Sequence, residues 1–368
     1  MRLLICAGMT GGGIYPALAV HQALGIKSEA TLWVGSGKGL EEDLLAPFNI
    51  SYESIPGGGV HGMEIAKLPV NIFKLIRGYQ RAKSIVEDFK PDVVFYTGGY
   101  IGVPMAFAAK KIPSVVFIPD IEPGLALKTI MRYADRILVS TDRSIHYITN
   151  PKKIEVTGYP LREDMNAWDR ISGREFFGIH NSEKVVLVFG GSKGAKSINE
   201  ALIPHINHLT EEMHIIHITG TDNWDDSETM RKNHTITHAN KYHAYPFLHK
   251  EMGAAFAAAD LAVCRAGAST IGELPYFGLP AILIPYPHAW RYQYQNADYL
   301  VSNQAAVLLP DDHLQQRLFT QITDLVRDES KLCTLKQNMQ RLAVKDAAEA
   351  IAEIIKEVGH KKKEGTFS

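Results

Sequence analysis

One residue pattern occurs twice in this chain and limits its fold more than any other feature: an apolar strand, a glycine-rich turn, then a helix. The first copy is LLICAGMTGGGIYPALAVHQAL and the second is VVLVFGGSKGAKSINEALIPHI. Gly8 and Gly190 begin the two turns. Because a chain of 368 residues is too long for one ordinary core, the repeat predicts one such unit in each half.

Short apolar runs alternate with helix-length segments on both sides of this repeat. The predicted strands are RLLICAG, TLWVGS, DVVFYTGG, SVVFIPD and RILVS in the first half, then KVVLVFGG, HIIHITG, DLAVCRAG and AILIPYP. The alternation is typical of parallel sheets covered by helices, so we predict an α/β fold of two doubly wound, Rossmann-like domains that face a cleft. The linker is expected near residues 156–164, VTGYPLRED, and the polar end, residues 359–368, is expected to be disordered.

Composition excludes several classes of protein. The net charge is −1 and 46% of residues are hydrophobic, so the chain is globular and has no general attraction to nucleic acid. Cys6, Cys264 and Cys333 form no CxxC pair, which argues against a zinc site or a disulfide framework. With no signal-peptide core and no apolar run of about 18 residues, the protein is expected to be cytoplasmic.

The glycine turns predict anion binding, because each precedes a helix whose first amides are free to bind phosphate. The dinucleotide pattern GxGxxG does not fit, since Pro16 takes the place of its third glycine and the second strand ends in Gly-Ser rather than in an acid. The second turn misses the Walker pattern because Ala195 replaces the last glycine. A tight turn without a ligand remains an alternative for each copy.

A third segment, CRAGASTIGEL, places small residues between a strand and a helix. The amides of Ala268, Ser269 and Thr270 are expected to be uncommitted, and the two hydroxyls would add donors for a diphosphate. Glu273, one turn later, has the chemistry to accept hydrogen bonds from a vicinal diol such as that of ribose. The alternative is that Glu273 only favours the helix dipole.

These segments occur in an order that resembles a known family. AGMTGGGIYPALAV, TGGYIGVP, VTGYPLR, GGSKGAKSIN and CRAGASTIGELPYFGLPAILIPYPHAWRYQYQNA together resemble the MurG family over nearly the whole chain. The resemblance implies a GT-B fold, with domains at 1–161 plus 344–368 and at 162–343. It also implies an inverting transfer of N-acetylglucosamine from UDP-N-acetylglucosamine to lipid I, which forms lipid II in peptidoglycan synthesis, with no metal or other cofactor for nucleotide binding.

The resemblance gives donor-binding roles to residues around the second turn and beyond it. The backbone at Leu248, after Phe247, would read the uracil edge, and Glu273 would bind the ribose diol. The residues implied at the diphosphate are Gly191, Ser192, Ala268, Ser269, Thr270 and Arg162. The residues implied at the donor sugar are Gln293 and Asn296, with His288 close by.

The first half keeps less of the family pattern. The residues implied at the acceptor are Thr10, Gly11, Gly12, Gly13 and Tyr100. Gly13 stands where the family has a histidine, and FIPD at 117–120 replaces the family's HEQN stretch. We predict Asp120 as the base that takes the acceptor proton, because it follows a strand at the ligand-binding edge. Glu122 and His21 are weaker alternatives, and Asp120 as a simple loop cap stays open.

The segment 67–83, KLPVNIFKLIRGYQRAK, mixes basic and apolar residues and lies in a stretch without acids, 65–86. Such a basic amphipathic helix predicts contact with an anionic bilayer, in line with the family's peripheral attachment to the inner face of the cell membrane. An ordinary domain helix is the alternative.

Three other functions remain open beside the transfer to lipid I. The first is a transferase of the same fold with a different lipid or sugar acceptor, and the second is a UDP-sugar 2-epimerase. The third is a catalytically silent protein that binds a nucleotide sugar, which Gly13 in place of a histidine allows.

Overall fold

The computed structural model describes residues 1–8, 11–27, 30–37, 40–57, 68–149, 153–191, 193–234, 236–289 and 291–364. The chain divides into two compact units. Unit 1 comprises Met1–Arg162 with Asp346–Ser368, and unit 2 comprises Glu163–Lys345. Compared with the predicted limits at 161 and 343, this division assigns Arg162 to unit 1 rather than to the second domain.

Unit 1 contains a parallel sheet in the spatial order β3-β2-β1-β4-β5-β6-β7. Its strands are β1 (Leu3–Cys6), β2 (Thr31–Gly35), β3 (Ser51–Ser54), β4 (Val93–Tyr96), β5 (Ser114–Ile118), β6 (Arg136–Val139) and β7 (Ile154–Val156). Its first helices are α1 (Gly11–Leu24), α2 (Leu40–Leu45), α3 (Leu68–Phe89), α4 (Gly102–Ala108) and α5 (Leu125–Ile130). Helices α3, α4 and α5 cover one face of the sheet, where their apolar side chains form a single buried cluster with those of the central strands.

Unit 2 contains a second parallel sheet, in the order β10-β9-β8-β11-β12-β13. Its strands are β8 (Lys184–Phe189), β9 (Met213–Ile218), β10 (Tyr242–Tyr245), β11 (Leu261–Cys264), β12 (Ala281–Leu283) and β13 (Ala306–Leu308). Its helices are α6 (Glu163–Asn166), α7 (Arg170–Phe176), α8 (Lys196–Leu202), α9 (Ile206–Glu212), α10 (Trp224–Lys232), α11 (Met252–Ala258), α12 (Thr270–Phe277), α13 (Tyr292–Ser302), α14 (Leu314–Arg327) and α15 (Glu329–Arg341). Both sheets agree with the predicted α/β class.

The last helix, α16 (Ala347–Glu364), returns to unit 1 and packs on α1. It continues past Gly359, so the prediction of disorder from residue 359 is wrong for residues 359–364. Lysine and glutamate are good helix formers, and basic residues near a helix C-terminus favour its dipole. The rest of the predicted disordered end, residues 365–368, lies outside the described part of the chain.

One arginine joins the elements at the amino-terminal edge of the unit 2 sheet. The Arg174 side chain is fully buried and donates to the Asp260 carboxylate at 2.9 Å. Its remaining N–H groups donate to the carbonyls of Ala258, His180, Asn181 and Glu183. Since a buried charge is tolerated only when it is paired and hydrogen-bonded, Arg174 fixes α7 to the starts of β8 and β11.

Replacement of Arg174 by methionine should lower the free energy of unfolding of unit 2 by about 3–5 kcal/mol, because Asp260 and several carbonyls lose their partner in a dry environment. The matched control is Arg170→Met, since Arg170 binds the same carboxylate at 2.7 Å but is 40% exposed. The control should cost less than about 1 kcal/mol. Denaturant titrations measure both values, and equal losses would contradict the assignment of Arg174.

Candidate active site

Each sheet changes its direction of growth at one point, and the glycine turns lie there. In unit 2 the chain leaves β8 toward β9 and later returns to the other side of β8 with β11. The turn at 190–194 and the segment at 265–269 therefore follow neighbouring parallel strands at one edge. Ligands of doubly wound sheets bind outside the carboxyl ends of the strands at such a switch point. The fold thus brings two of the predicted donor-binding segments together.

The turn after β8 has a backbone conformation that favours glycine. Gly191 has a φ of 93° and Gly194 a φ of 78°, values that other residues rarely adopt. A Cβ atom on Gly194 would lie 2.0 Å from the carbonyl oxygen of Thr219, in the loop after β9. Asn223 Nδ2 holds the same turn by donating to the Lys193 carbonyl at 2.8 Å. The turn and the loop after β9 therefore pack backbone against backbone.

The segment after β11 presents fewer free amides than predicted. Among the described residues, the amides of Ala268 and Ser269 have no hydrogen-bond partner. The Thr270 amide donates to the Gly267 carbonyl at 3.2 Å, and the Thr270 hydroxyl donates to the same oxygen at 2.5 Å. The expectation that Thr270 is uncommitted is therefore wrong, because the first turn of α12 closes onto Gly267. Ala268 and Ser269 remain candidate donors to an anion.

Glu273 is half-buried in the first turn of α12, as the sequence predicts. Burial, and after it the nearby Glu273 carboxylate, raises the pKa of the Cys264 thiol at the end of β11. The carboxylate thus lies beside the strand end that leads to Ala268 and Ser269, as the predicted diol contact requires. That contact itself stays a prediction.

Phe247 and Leu248 follow β10, on the same side of the switch point as β9. Leu248 is buried, and the Phe247 ring lies edge-on to His249 at 4.8 Å. The Thr219 amide donates to the Tyr245 carbonyl at 3.0 Å, which ties this segment to the loop that packs on the glycine turn. The predicted base-reading backbone is therefore fixed to the edge that carries the turn.

Helix α13 and the loop before it hold the residues expected at the donor sugar. Gln293 is half-buried, and its Oε1 accepts from the Tyr286 amide at 2.8 Å. His288 is exposed, with its ring 5.4 Å from that of Tyr286. Asn296 is fully buried and donates to the Ala266 carbonyl at 3.1 Å. For Asn296 this geometry fits support of the segment after β11 better than the direct sugar contact that the resemblance implies.

The sequence motifs indicate no role for Arg265. The signal that could have revealed it is a charged residue directly after an apolar strand. Arg265 is 8% exposed, and its guanidinium donates to Asp311 Oδ1 at 2.5 Å and to Ser197 Oγ at 2.8 Å. The same Asp311 oxygen accepts from Ser197 at 2.8 Å. Arg265 also donates to the Ile284 carbonyl. The start of the segment after β11 is thereby fixed to α8 and to the ends of β12 and β13.

In unit 1 the switch point lies between β1 and β4, and most of the predicted acceptor residues lie at this edge. The Thr97 hydroxyl, after β4, donates to the Gly13 carbonyl at 2.6 Å. A Cβ atom on Gly99 would lie 3.3 Å from the Gly8 carbonyl, and the neighbouring Tyr100 is exposed. Gly11 and Gly12 begin α1 beside them. Two predicted ligands, Thr10 and, in unit 2, Ser192, lie outside the described residues.

Steric crowding does not require glycine at position 13. A Cβ atom there would lie 3.6 Å from its nearest neighbour, the Thr97 carbonyl, which is an ordinary van der Waals distance. Gly13 is also absent from the glycines with positive φ. An added Cβ atom therefore fits at this position without displacing its neighbours.

Three acidic or basic groups are candidates for the proton acceptor. Asp120 is half-buried just after β5, at the edge that carries the glycine turn. Glu122 is buried and paired with Lys128 at 3.2 Å. Burial lowers the pKa of His21, which lies in the last turn of α1. Asp120 therefore keeps the best position, although its role as a base stays a prediction.

Arg162 lies in unit 1, and its guanidinium carbon is 4.6 Å from the centre of the Tyr15 ring in α1. A cation over an aromatic face is a favourable contact. The structure thus groups Arg162 with the first glycine turn, whereas the prediction assigned it to the donor domain. Within the described ranges, no three His, Cys, Asp or Glu side chains are grouped as a metal site would require.

Comparison with known proteins agrees with this geometry. Residues 3–139 match the glycosyltransferase family 28 N-terminal domain, and residues 185–353 match the C-terminal domain of that family. The chain is 36% identical to a protein of Desulforamulus reducens over 97% of each chain. That protein is named UDP-N-acetylglucosamine–N-acetylmuramyl-(pentapeptide) pyrophosphoryl-undecaprenol N-acetylglucosamine transferase.

Solved structures show the same fold at lower identity. MurG of Acinetobacter baumannii superposes with a TM-score of 0.73 at 24% identity, covering 96% of this chain and 99% of that one. The UDP-GlcNAc 2-epimerase of Neisseria meningitidis gives a TM-score of 0.67 at 13% identity, covering 97% and 100%. At these identities the likeness concerns the fold alone, so the fold does not separate transfer from epimerisation.

Two Rossmann-like units with glycines at their switch points give a GT-B fold, and the two family 28 domain matches assign this fold to the glycosyltransferases. The 36% identity to a named N-acetylglucosamine transferase, over 97% of each chain, identifies one family within this class. The chain belongs to glycosyltransferase family 28 and, within it, to the MurG family. The fold and family predicted from the sequence motifs are confirmed.

Replacement of Gly194 by alanine should lower the free energy of unfolding by about 3 kcal/mol, because the new methyl group meets a backbone carbonyl and the φ is unfavourable. Gly178→Ala is the control, since Gly178 has a φ of 66° and open space around its Cβ position. The control should cost only about 1 kcal/mol. Denaturant titration distinguishes them, and similar losses would mean that the contact with Thr219 gives way easily.

Proposed function

We propose that this chain transfers N-acetylglucosamine from UDP-N-acetylglucosamine to a polyprenyl-diphosphate-linked muramyl peptide, which converts lipid I into lipid II in peptidoglycan synthesis. The observation that carries the proposal is the identity of 36%, over 97% of each chain, to a protein named for this transfer. The placement of the predicted donor segments at the switch point of unit 2 supports it.

Transfer requires a site that stabilises the UDP leaving group. The acceptor hydroxyl oxygen forms a bond to the anomeric carbon while the bond from that carbon to the diphosphate oxygen breaks, which inverts the centre. Negative charge then grows on the diphosphate. Preorganised amides stabilise such charge without reorganisation, and the amides of Ala268 and Ser269 are available for this purpose. We propose that the protein binds the nucleotide through these groups without a metal.

The proposed reaction also needs a base on the acceptor side to take a proton. Asp120 would accept the proton of the acceptor hydroxyl as that oxygen attacks. Its place after β5 and its half-buried side chain favour Asp120 over Glu122, which is 2% exposed. Because Gly13 and the FIPD segment depart from the family pattern, a GT-B transferase with a different lipid or sugar acceptor is the second candidate.

Incubation with UDP-N-acetylglucosamine should release UDP only when lipid I is present, and EDTA should leave the rate unchanged. Chromatography of the nucleotides and the sugar products measures both results. A sugar epimerised without lipid I would instead support a 2-epimerase. Tight UDP-sugar binding without turnover would support a silent binding protein, and transfer only to another acceptor would support the second candidate.

Two variants separate the donor and acceptor arms of this assay. Asp120→Asn should keep the affinity for UDP and reduce transfer by about a hundredfold or more, since general base catalysis contributes about 10²–10⁴ in rate. Glu273→Ala should weaken UDP binding. Normal UDP affinity in the Glu273 variant would contradict the diol contact, and full transfer by the Asp120 variant would exclude Asp120 as the base.

We also propose that the outer surface of α3, α4 and α5 contacts an anionic membrane. None of the described helices is long and apolar enough to cross a bilayer, so the contact would be peripheral. This surface exposes large apolar side chains beside basic ones: Phe73 is 59% and Ile76 is 52% exposed. The other apolar members are Tyr79, Phe107, Leu125 and Tyr133, and the exposed basic ones are Lys74, Arg77, Lys110, Lys111 and Arg132.

The structure changes one detail of the predicted basic helix. Arg81 forms a salt bridge with Glu53 at 2.7 Å, so its charge is partly compensated. Lys74 and Arg77 lie in the same turn region as Phe73 and Ile76, and the Arg77 guanidinium is 5.8 Å from the Phe73 ring. Lys67 lies outside the described residues. Lys74 and Arg77 are therefore the better residues for a test.

Charge reversal at Lys74 and Arg77 together should weaken binding to phosphatidylglycerol vesicles at least tenfold, because each basic residue near an anionic surface contributes about 1 kcal/mol. The control reverses two exposed charges of unit 2, Arg317 and Lys336, which gives the same net charge. Vesicle sedimentation measures the affinity. If both variants weaken vesicle binding equally, the loss follows from net charge alone, and this result would contradict a membrane-binding surface on α3.

A further inference from the structure

A largely buried hydrogen-bond network connects β9 to the elements behind the glycine turn of unit 2. His217 is 0% exposed. Its Nε2 lies 3.0 Å from Asn199 Oδ1 and its Nδ1 lies 2.9 Å from the Tyr242 hydroxyl. Asn199 Nδ2 donates to the Thr219 carbonyl at 2.9 Å and to Ser227 Oγ at 3.3 Å. The network therefore runs from the core of the sheet to the loop after β9.

The direction of each hydrogen bond follows from the groups involved. The Thr219 carbonyl only accepts, so Asn199 must turn its amide nitrogen toward it and its oxygen toward His217. His217 must then carry its proton on Nε2, which leaves Nδ1 as the acceptor from the Tyr242 hydroxyl. Burial lowers the pKa of His217 to about 3, so the ring is neutral and keeps this single tautomer at working pH.

The Thr219 carbonyl is the point where this network reaches the glycine turn. It is the nearest atom to the Cβ position of Gly194, and the Cβ position of Gly220 lies 2.2 Å from the Gly194 Cα. Two backbones in such close contact constrain each other's position. The orientation of the Thr219 carbonyl, which Asn199 fixes, therefore sets where the turn lies.

We propose that His217 is a positioning residue for donor binding, which acts through Asn199 and the Thr219 carbonyl to hold the turn at 190–194 in its binding conformation. The inference rests on the proposed function in one respect, namely that this turn contributes to the nucleotide site. His217 touches no ligand in this role. Its contribution is to restrict the turn before the donor arrives, which lowers the entropic cost of binding.

A second histidine of β9 provides a matched control. His214 is also buried, three residues earlier on the same strand. Its ring pairs with His243 at 3.1 Å and with Glu183 at 3.1 Å, and these groups lie at the start of β8 and on β10. In the described part of the chain, these contacts of His214 do not lead to the turn at 190–194. Loss of either ring removes similar buried contacts, but only His217 connects to the turn.

The test is the Kd of UDP, measured by calorimetry on the full chain, with the KM values for donor and acceptor from the transfer assay. His217→Leu should raise the Kd and the donor KM by about five- to thirtyfold, since one or two neutral hydrogen bonds contribute about 1 kcal/mol each. His217→Gln, whose amide N–H can replace Nε2–H, should return both to within about threefold of wild type. His214→Leu should leave the Kd unchanged, and the acceptor KM should stay constant throughout.

Equal weakening by His214→Leu and His217→Leu, or a wild-type Kd in folded His217→Leu, would overturn the proposal. If His217→Leu does not fold, Asn199→Asp replaces it, because a carboxylate still accepts from His217 but cannot donate to Thr219. That variant should raise the Kd by a similar factor, and a wild-type Kd would again overturn the proposal. Failure of the wild-type chain to bind UDP at all would instead refute the proposed function on which the inference rests.

Discussion

The parallel pairing of every strand is the constraint on which the rest of this protein depends. Parallel strands end at one edge of their sheet, so the loops that follow them are necessarily neighbours. Each sheet also grows first to one side of its first strand and then to the other. In both units described glycines lie at this switch point, Gly8 and Gly11 in unit 1 and Gly190, Gly191 and Gly194 in unit 2, and several of the predicted ligand residues follow the neighbouring strands.

The strands that the sequence predicted are mainly those at the centres of the sheets. β1, β4 and β5, like β8 and β11, are buried on both faces and read as continuous apolar runs. Three edge strands, β3, β10 and β13, were missed because they are short and partly exposed. β3, for example, is SYES and has no apolar run. The sequence also fails to predict the helix at residues 359–364. The prediction of disorder rests on polar composition, and a polar segment of lysine and glutamate can still form a helix.

In the candidate site, too, the sequence predicts features that depend on neighbouring residues, but not contacts between residues that are far apart in the chain. The glycine turns and Asp120 lie within a few residues of a strand end, and Glu273 lies in the first turn of the helix after β11, so the sequence alone indicates them. It does not indicate the side chains that hold these loops, because Arg265 meets Asp311 and Asn199 meets Thr219 only after the sheet has formed. Asn296 shows the converse case. Its motif resembles that of a ligand residue, and only the fold shows that its buried side chain donates to the Ala266 carbonyl.

The return of α16 to unit 1 has a consequence for the order of events on the ribosome. Residues Ile351, Ala352, Ile355 and Val358 of this helix are buried in unit 1, yet all of unit 2 is synthesised before them. At about 5–20 residues per second, residues 163–345 take roughly 10–40 s to translate. During that interval the apolar surface of α1 that α16 later covers stays exposed. Unit 2, in contrast, already has all of its residues once Lys345 has been added. Chaperone dependence is therefore expected to concentrate on the first half of the nascent chain.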